Sequence, residues 1–321
     1  MVPVPEALIR FILEGNAFIV AGHEEPDGDC VGSQLAAVSV LRRLGKQAWP
    51  CSAGPFKRSE IKPYEGEFVP CPEGTAREGA RVIVMDCSSR ERVGSLPIDG
   101  LPAAAVDHHA SGNPWGEVVY LDAAAPSVTS MTLRIINALG TAPTAEEAEL
   151  LLFGLCTDTG FFRHVDGGSP DSFECAAELT AAGASPKRVF ASINGGKTLN
   201  SRLLMGTVLA KTRAFYGGRL LLSTETLEET RRFGLESRDS NMIYQLLQSI
   251  DGVETMALLR QENPEECTMG LRSRDRVDVA AVAKGFGGGG HKNAAGAKVP
   301  GSIAAVEENL LRAFAPWFSS P

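Results

Sequence analysis

The sequence predicts an α/β protein with an N-terminal domain built on a parallel sheet flanked by helices, followed by a smaller C-terminal domain of mixed α/β structure. In the N-terminal half, short and almost continuously apolar runs alternate with stretches of helical periodicity, as in strands buried between two layers. A length of 321 residues is sufficient for two domains. The pattern of apolar residues also changes near residue 195, which favours a boundary there.

The elements of the N-terminal half follow from the spacing of their apolar residues. Continuous apolar runs predict buried strands, and apolar residues recurring every three or four positions predict helices. The predicted strands cover residues 18–22, 81–86, 103–107 and 118–121. The predicted helices cover residues 5–14, 29–44, 127–139, 144–156, 170–182 and 185–194.

The C-terminal half begins after the segment Asn194-Gly-Gly-Lys197, which interrupts the helical pattern. We expect a first domain over residues 1–190, a linker helix region over 191–210 and a second domain over 211–321. The predicted strands of the second domain cover 214–224, 252–261 and 267–273, and its predicted helices cover 240–250, 277–285 and 302–318.

Composition excludes several classes of protein. Hydrophobic residues make up 44% and charged residues 22% of the chain, so it is not a disordered, collagen-like or coiled-coil protein. The formal net charge of −8 argues against binding long duplex nucleic acid. No run is long and apolar enough for a membrane span, and no signal peptide is recognisable. Seven cysteines without C-x-x-C spacing predict reduced thiols and a cytoplasmic location.

Carboxylates and histidines follow the predicted strands at the points where the strands end. His23 opens the segment His23-Glu-Glu-Pro-Asp27-Gly-Asp29, and Asp86 ends the second predicted strand. Asp107-His108-His109 ends the next. Because ligands of parallel sheets bind at the carboxyl ends of the strands, we expect these side chains to converge there. Each aspartate taken singly is also typical of a helix cap or a turn.

Converging carboxylates without Lys or Arg between them require a positive charge. Oxygen and imidazole donors together suit divalent first-row metals, above all Mn²⁺. Asp158, in Thr157-Asp158-Thr159-Gly160, is a further candidate carboxylate. Four ligating carboxylates would be balanced by two divalent cations. Two such ions are a recurring device for hydrolysing phosphate esters.

A glycine tract in the C-terminal half is a second candidate site. Gly287-Gly288-Gly289-Gly290 precedes His291 and Lys292, and glycines let backbone N–H groups approach an anion closely. Arg272 and Ser273 end a predicted strand upstream. Glycines alone are equally typical of a flexible loop. With a metal site elsewhere in the chain, a role in holding a phosphate or a base becomes the better interpretation.

Taken in order, these segments resemble the DHH family of phosphoesterases. The Arg272-Ser273 pair and the glycine–histidine tract are similar to the family's associated substrate-binding domain of the first subtype. The resemblance covers nearly the whole chain and is greatest to bacterial nanoRNases, which are bifunctional oligoribonucleases and 3′-phosphoadenosine 5′-phosphate phosphatases.

The resemblance implies roles for individual residues. The metal ligands would be His23, Asp27, Asp29, Asp86, His108 and Asp158, with Asp86 bridging two ions; Mg²⁺ or Co²⁺ are possible substitutes for Mn²⁺. His109 would face the scissile phosphate, and Asp107 would orient its neighbours. The substrate-binding residues would be Arg272, Ser273, Gly288, Gly289, Gly290 and His291, in a cleft between the domains. Roles for Arg163 and His164 stay open.

The implied function is metal-dependent hydrolysis of very short RNA to nucleoside 5′-monophosphates, with 3′-phosphoadenosine 5′-phosphate as a further substrate. An alternative is a phosphodiesterase for cyclic or linear dinucleotides. An inorganic pyrophosphatase is disfavoured by the Arg272-Ser273 and glycine–histidine pattern, and a non-catalytic nucleotide sensor by the complete set of six candidate ligands. The expected partners are short oligonucleotides or nucleotides, with neither a membrane nor long duplexes; a homodimer is one option for the oligomeric state.

Overall fold

The computed structural model describes residues 2–167 and 169–318, and the chain divides into two compact units between Gly196 and Lys197. The first unit contains a five-stranded sheet in the order β2-β1-β3-β4-β5, and every neighbouring pair is parallel. Its strands are β1 (Ala17–Ala21), β2 (Gln47–Cys51), β3 (Ala80–Met85), β4 (Ala103–Asp107) and β5 (Val118–Leu121). The predicted parallel sheet is thereby confirmed. The edge strand β2 was not predicted, because its run of five residues begins with Gln47 and contains Pro50, which is unusual within a strand.

Seven α-helices belong to the described part of the first unit. They are α1 (Glu6–Glu14), α2 (Gly28–Arg43), α3 (Thr75–Glu78), α4 (Val128–Ala138), α5 (Ala145–Asp158), α6 (Asp171–Ala181) and α7 (Pro186–Asn194). On one face of the sheet, strand residues such as Val20 and Met85 pack with apolar residues of α1, α2 and α4. On the other face, Ile19 and Val84 pack with Val93 and other side chains of the segment that follows β3. A further core joins α2 to α5, α6 and α7.

The second unit contains a six-stranded mixed sheet in the order β10-β11-β9-β8-β7-β6. Its strands are β6 (Arg213–Phe215), β7 (Leu220–Glu225), β8 (Thr255–Asn263), β9 (Glu266–Ser273), β10 (Gly289–His291) and β11 (Ala294–Pro300). Only the pair β7–β8 is parallel among the described strands of this sheet. The prediction of one strand over residues 214–224 was wrong. The chain turns back at Tyr216, Gly217 and Gly218, which have positive φ angles, so that β6 and β7 form a hairpin.

The helices of the second unit are α8 (Leu199–Ala210), α9 (Leu227–Phe233), α10 (Ser240–Gln248), α11 (Val279–Lys284) and α12 (Ile303–Phe318). Residues 199–210, part of the expected linker helix region, form α8, whose buried Leu204 and Val208 belong to the same core cluster as Leu221 of β7. This packing places the helix within the second unit. Residues 319–321, the end of the expected second domain, lie outside the described residues.

Two further expectations concern the cysteines and the membrane. All seven cysteines are free thiols, and all except Cys71 are buried. Among the described residues, no helix has both the length and the hydropathy to cross a bilayer.

Candidate metal centre

The carboxyl edge of the first sheet brings together the six side chains that the sequence predicts as metal ligands. His23 lies two residues beyond β1, Asp86 directly follows β3, and His108 directly follows β4. The N-terminus of α2 contributes Asp27 as its N-cap together with Asp29, and Asp158 is the last residue of α5. The parallel order β1-β3-β4 makes these strand ends neighbours, which is the physical reason for the convergence.

Asp86 lies at the centre of the cluster. One of its carboxylate oxygens, Oδ2, is 3.5 Å from His23 Nε2, and the other, Oδ1, is 3.7 Å from His108 Nε2. Oδ1 is buried and accepts no hydrogen bond from any residue that the structure describes. The backbone of Asp86 has φ 54°, in the left-handed region, while its N–H donates to the carbonyl of Val106. Each oxygen of this carboxylate therefore faces a different histidine, an arrangement that suits a ligand shared by two cations.

Backbone contacts orient the two imidazoles. Nδ1 of His23 donates to the carbonyl oxygen of Glu24 at 2.7 Å, and Nδ1 of His108 donates to that of Ala125 at 3.1 Å. Because a carbonyl can only accept, each ring presents an unprotonated Nε2 to the cluster when it is neutral. Nε2 of His108 lies 3.5 Å from Asp158 Oδ2. Both histidines are therefore prepared to ligate a cation through Nε2.

Asp29 is almost fully buried and is held by the start of α4. Its carboxylate accepts hydrogen bonds from the backbone N–H groups of Val128 at 2.6 Å and Thr129 at 2.8 Å. Burial, and then the negative charge of Asp86, raise the pKa of Asp29 well above its usual value. Burial likewise raises the pKa of Asp158 to about 6. A bound divalent cation would reverse both effects by favouring the ionised forms.

Asp107 and His109 form a separate pair beside the cluster. Asp107 Oδ1 accepts hydrogen bonds from His109 Nδ1 at 2.7 Å and from the backbone N–H of His108 at 2.9 Å. The hydrogen bond to Asp107 raises the pKa of His109. The His109 side chain is more exposed than those of His23 and His108. This arrangement leaves His109 Nε2 available to an incoming molecule rather than committed to a neighbour.

The donor set fits divalent cations. Among the described residues, three groups of side chains could each hold a cation, because one possible ligand atom of each residue lies within 4.8 Å of the others. The groups are His23–Cys30–Asp86, Asp86–His108–His109 and Asp29–His108–Asp158. The orphaned oxygen of Asp86 is a buried acceptor that a cation would satisfy. Arg58 forms an ion pair with Asp27 Oδ2 at 3.7 Å, so one protein cation reaches the edge of the cluster.

In the second unit, the sheet places Arg272 and His291 in one cross-strand row. Ala294 of β11 pairs with His291 of β10 on one side and with Arg272 of β9 on the other. Directly paired residues point to the same face, so both side chains lie on one face about 10 Å apart. The next row on this face contains Gly289, Gly296 and Gly270. These glycines contribute no side chains to this face, and the Tyr244 hydroxyl occupies the space over Gly270.

Ser273 and the glycine tract are arranged differently from Arg272. Ser273 is next to Arg272 on a strand, so its side chain points to the opposite face. There its Oγ is buried and has no hydrogen-bond partner within residues 2–167 and 169–318. A Cβ at Gly288 would lie 2.2 Å from the carbonyl oxygen of Gly296, and one at Gly290 would lie 2.4 Å from that of Ala294. These two glycines therefore allow close approach of the edge strand to β11, whatever else they contact.

Sequence reasoning missed two side chains that contact candidate residues. Cys30 belongs to the group containing His23 and Asp86, although it follows Asp29 directly and its position in the motif could have drawn attention. Tyr244 of α10 packs its ring against the Arg272 guanidinium at 4.6 Å, and no sequence signal links these distant positions. Arg163 and His164 are exposed in the turn after α5, where His164 and Asp158 line the same surface depression.

Comparison with known proteins identifies the family. The model of the DHH family N-terminal domain matches residues 17–155, and that of the DHHA1 domain matches residues 217–320. A Thermus thermophilus protein named bifunctional oligoribonuclease and PAP phosphatase NrnA is 32% identical over 310 residues, covering 94% of this chain and 92% of its own. The chain belongs to the DHH family. Within this DHH protein, the matched N-terminal range contains five of the six candidate ligands and ends just before Asp158.

Other relatives of the DHH protein agree with this assignment. A Bacillus subtilis protein, also named bifunctional oligoribonuclease and PAP phosphatase NrnA, is 26% identical over 298 residues. The match covers 91% of this chain and 92% of the Bacillus subtilis protein. The crystal structure of an exopolyphosphatase-related protein from Bacteroides fragilis superposes with a TM-score of 0.79 at 21% identity, covering 98% of this chain and 97% of its own. That likeness shows the shared α/β fold.

Proposed function

We propose that this protein is a metal-dependent phosphodiesterase that degrades very short oligoribonucleotides to nucleoside 5′-monophosphates and dephosphorylates 3′-phosphoadenosine 5′-phosphate. The observation that carries the proposal is the position of Asp86 between His23 and His108, with Asp27, Asp29 and Asp158 around them. The Thermus thermophilus and Bacillus subtilis relatives, which this chain matches over 92% of their length, are named bifunctional oligoribonuclease and PAP phosphatase.

We further propose that the cluster holds two Mn²⁺ ions, for which oxygen and imidazole donors are suited, and that Mg²⁺ or Co²⁺ can replace them. His23 and Asp27 would bind one ion and Asp29, His108 and Asp158 the other, with Asp86 shared. The ions would lower the pKa of water and stabilise negative charge on the phosphate.

The protein's own residues would handle the substrate around these ions. Asp107 holds His109 by its Nδ1–H, so that His109 Nε2 is free to donate a hydrogen bond or a proton to the phosphate or the leaving oxygen. The raised pKa of His109 keeps the donating form available at a higher pH than in free histidine. In the second unit, Arg272 and His291 would recognise the part of the substrate away from the scissile bond.

The test is a substrate panel assayed with Mn²⁺. The metal-loaded protein is incubated with 5′-labelled RNAs from the dinucleotide upward, with 3′-phosphoadenosine 5′-phosphate, with cyclic and linear diadenylates and with pyrophosphate. We expect the highest kcat/KM on dinucleotides to tetranucleotides and nucleoside 5′-monophosphates as products. Preferential hydrolysis of pyrophosphate, or of a cyclic dinucleotide, would refute the proposed substrate class.

A further inference from the structure

A buried thiol lies beside one of the proposed cation positions. Cys30 is in the first turn of α2, its side chain is inaccessible to solvent, and its Sγ lies within 4.8 Å of a ring nitrogen of His23 and a carboxylate oxygen of Asp86. All three residues are buried, so this group is not a chance meeting of surface side chains. The proposed mechanism gives Cys30 no role.

The surrounding residues hold the sulfur in this place. The Cys30 thiol donates to Gln34 Oε1 at 3.4 Å, which directs the S–H bond toward the next turn of α2. The Gln34 amide is itself fixed, since its Nε2 donates to the carbonyl oxygens of Val20 and Cys51, both at 3.0 Å. A Cβ at residue 22 would lie 2.2 Å from Cys30 Sγ, so the glycine found there leaves the space that the sulfur occupies.

We propose that Cys30 is a protein ligand at the cation position formed by His23, Asp27 and Asp86, and that its sulfur raises the affinity of this position for Zn²⁺ and Co²⁺ relative to its affinity for Mn²⁺. The inference rests on the metal centre proposed above. When sulfur coordinates, a bond from thiolate sulfur to the metal replaces the S–H bond and the proton passes to solvent. Thiolate is a soft ligand that suits zinc, whereas oxygen ligands suit manganese.

The two cation positions would then differ in chemistry. The proposed donors at the second position are the carboxylates of Asp29, Asp86 and Asp158 with the imidazole of His108. Among the described residues, no cysteine belongs to the groups Asp29–His108–Asp158 and Asp86–His108–His109. The buried thiol is therefore near only one of the two cation positions. This predicts a centre in which one position includes a sulfur donor and the other has only oxygen and nitrogen donors.

Cobalt substitution tests the proposal with a spectroscopic readout. Metal-free full-length protein is titrated with Co²⁺, and we expect a sulfur-to-cobalt charge-transfer band in the near ultraviolet that saturates after one equivalent. The band should be absent in Cys30→Ser and Cys30→Ala and unchanged in Cys175→Ser, which removes another buried thiol of the same unit outside the three ligand groups. The ratio of Zn²⁺ to Mn²⁺ affinity should fall at least about tenfold in Cys30→Ser.

Zinc X-ray absorption on the wild-type protein gives an answer that does not depend on how the variants fold. A sulfur scatterer at about 2.3 Å is expected, in addition to nitrogen and oxygen at about 2.0–2.1 Å. Cobalt binding without the charge-transfer band, or a band that survives in Cys30→Ser, would overturn the role of Cys30 alone. Failure of the wild-type protein to bind any divalent cation would overturn the proposed metal centre and this inference with it.

Discussion

At the residue scale, Asp86 adopts a backbone conformation that few residues other than glycine adopt. Its φ of 54° is in the left-handed region, which Asp and Asn tolerate better than other side chains. Strained residues that surrounding structure maintains occur often at functional sites. Here the conformation places one carboxylate between His23 and His108. The strain therefore supports the same conclusion as the positions of the histidines.

Asp86→Asn tests the bridge without disturbing this backbone, since asparagine also tolerates positive φ. Losing the charge shared by both ions should lower Mn²⁺ occupancy after gel filtration from two ions to one or none. Activity on dinucleotides should fall at least about 10²-fold, the scale of losing one electrostatic group from a hydrolytic site. Metal analysis and initial rates check this. Asp251→Asn, in an exposed turn of the second unit, is the control and should retain both.

His108 and His109 are adjacent in sequence but have different surroundings. His108 Nε2 faces the carboxylates of Asp86 and Asp158, whereas His109 is held by Asp107. His108→Ala should therefore lose metal, and His109→Ala should retain the ions and lose mainly kcat. Metal analysis beside steady-state kinetics separates the two outcomes. Equal metal loss in both variants would contradict this assignment.

The Asp107–His109 hydrogen bond also makes a prediction about pH. The bond raises the pKa of His109, so the imidazolium persists to a higher pH than in free histidine. Asp107→Asn removes the negative charge, so the pKa of His109 should fall. If His109 acts as the proton donor, the alkaline limb of the kcat profile should move to lower pH. Histidine NMR titration of the metal-free protein, with His109→Ala for assignment, measures the pKa directly; an unchanged value would rule out this role of Asp107.

At the element scale, close packing of α2 against α5 brings Asp29 and Asp158 to the same centre. A Cβ at Gly154 of α5 would lie 2.4 Å from Thr129 Cγ2 and 3.0 Å from Asp29 Cα. A Cβ at Gly28 of α2 would lie 2.3 Å from Thr157 Oγ1. These glycines thus set the spacing of two helices whose ends carry candidate ligands, and a side chain at either position would force the helices apart.

Gly154→Ala should consequently destabilise the protein and weaken its metal binding. Overpacking of this kind costs about 1–3 kcal/mol of the free energy of unfolding. Gly206→Ala is the matched control, because Gly206 also lies inside a helix but its Cβ would meet no atom within 4 Å. That change should stabilise α8 by about 0.5–1 kcal/mol. Urea unfolding of both variants decides the matter, and a Gly154→Ala protein as stable as Gly206→Ala would contradict the packing argument.

At the scale of the whole molecule, the two units carry different parts of the proposed activity. The first unit holds every candidate metal ligand, and the second holds Arg272 and His291 on one face of its sheet. The Tyr244 ring packs on the Arg272 guanidinium. A Cβ at Gly270 would lie 2.2 Å from the Tyr244 hydroxyl, so this position has no space for a side chain. Arg272 is therefore preorganised by its own unit, independently of the metal centre.

Arg272→Ala should separate recognition from chemistry. Loss of a charge-assisted hydrogen bond costs about 1.5–3 kcal/mol, which corresponds to about a 10- to 150-fold fall in kcat/KM on dinucleotides and 3′-phosphoadenosine 5′-phosphate. Hydrolysis of bis-p-nitrophenyl phosphate, which offers no second nucleotide, should change little, and both metals should stay bound. Arg312→Ala on the exposed side of α12 is the control. An equal fall on both substrates would mean that Arg272 does not act in substrate recognition.

Local pattern along the chain was enough to predict the parallel sheet and to place the candidate ligands at its strand ends. Apolar periodicity is local, so the end of a buried strand is visible in the chain, and the Asp107–His109 contact spans only two residues. Tertiary structure alone decided which groups support those ligands. The amides that hold Asp29 come from α4, about a hundred residues further along the chain.

Strand pairing explains the remaining differences. The strand β11, unpredicted because its small residues show no strand pattern, is what aligns His291 with Arg272. The alternation of a strand likewise separates Arg272 from Ser273, although the sequence pairs them. The Cys30–His23 contact depends on how α2 packs across β1. Registers and packing distances of this kind are set by contacts between distant segments, so local pattern does not encode them.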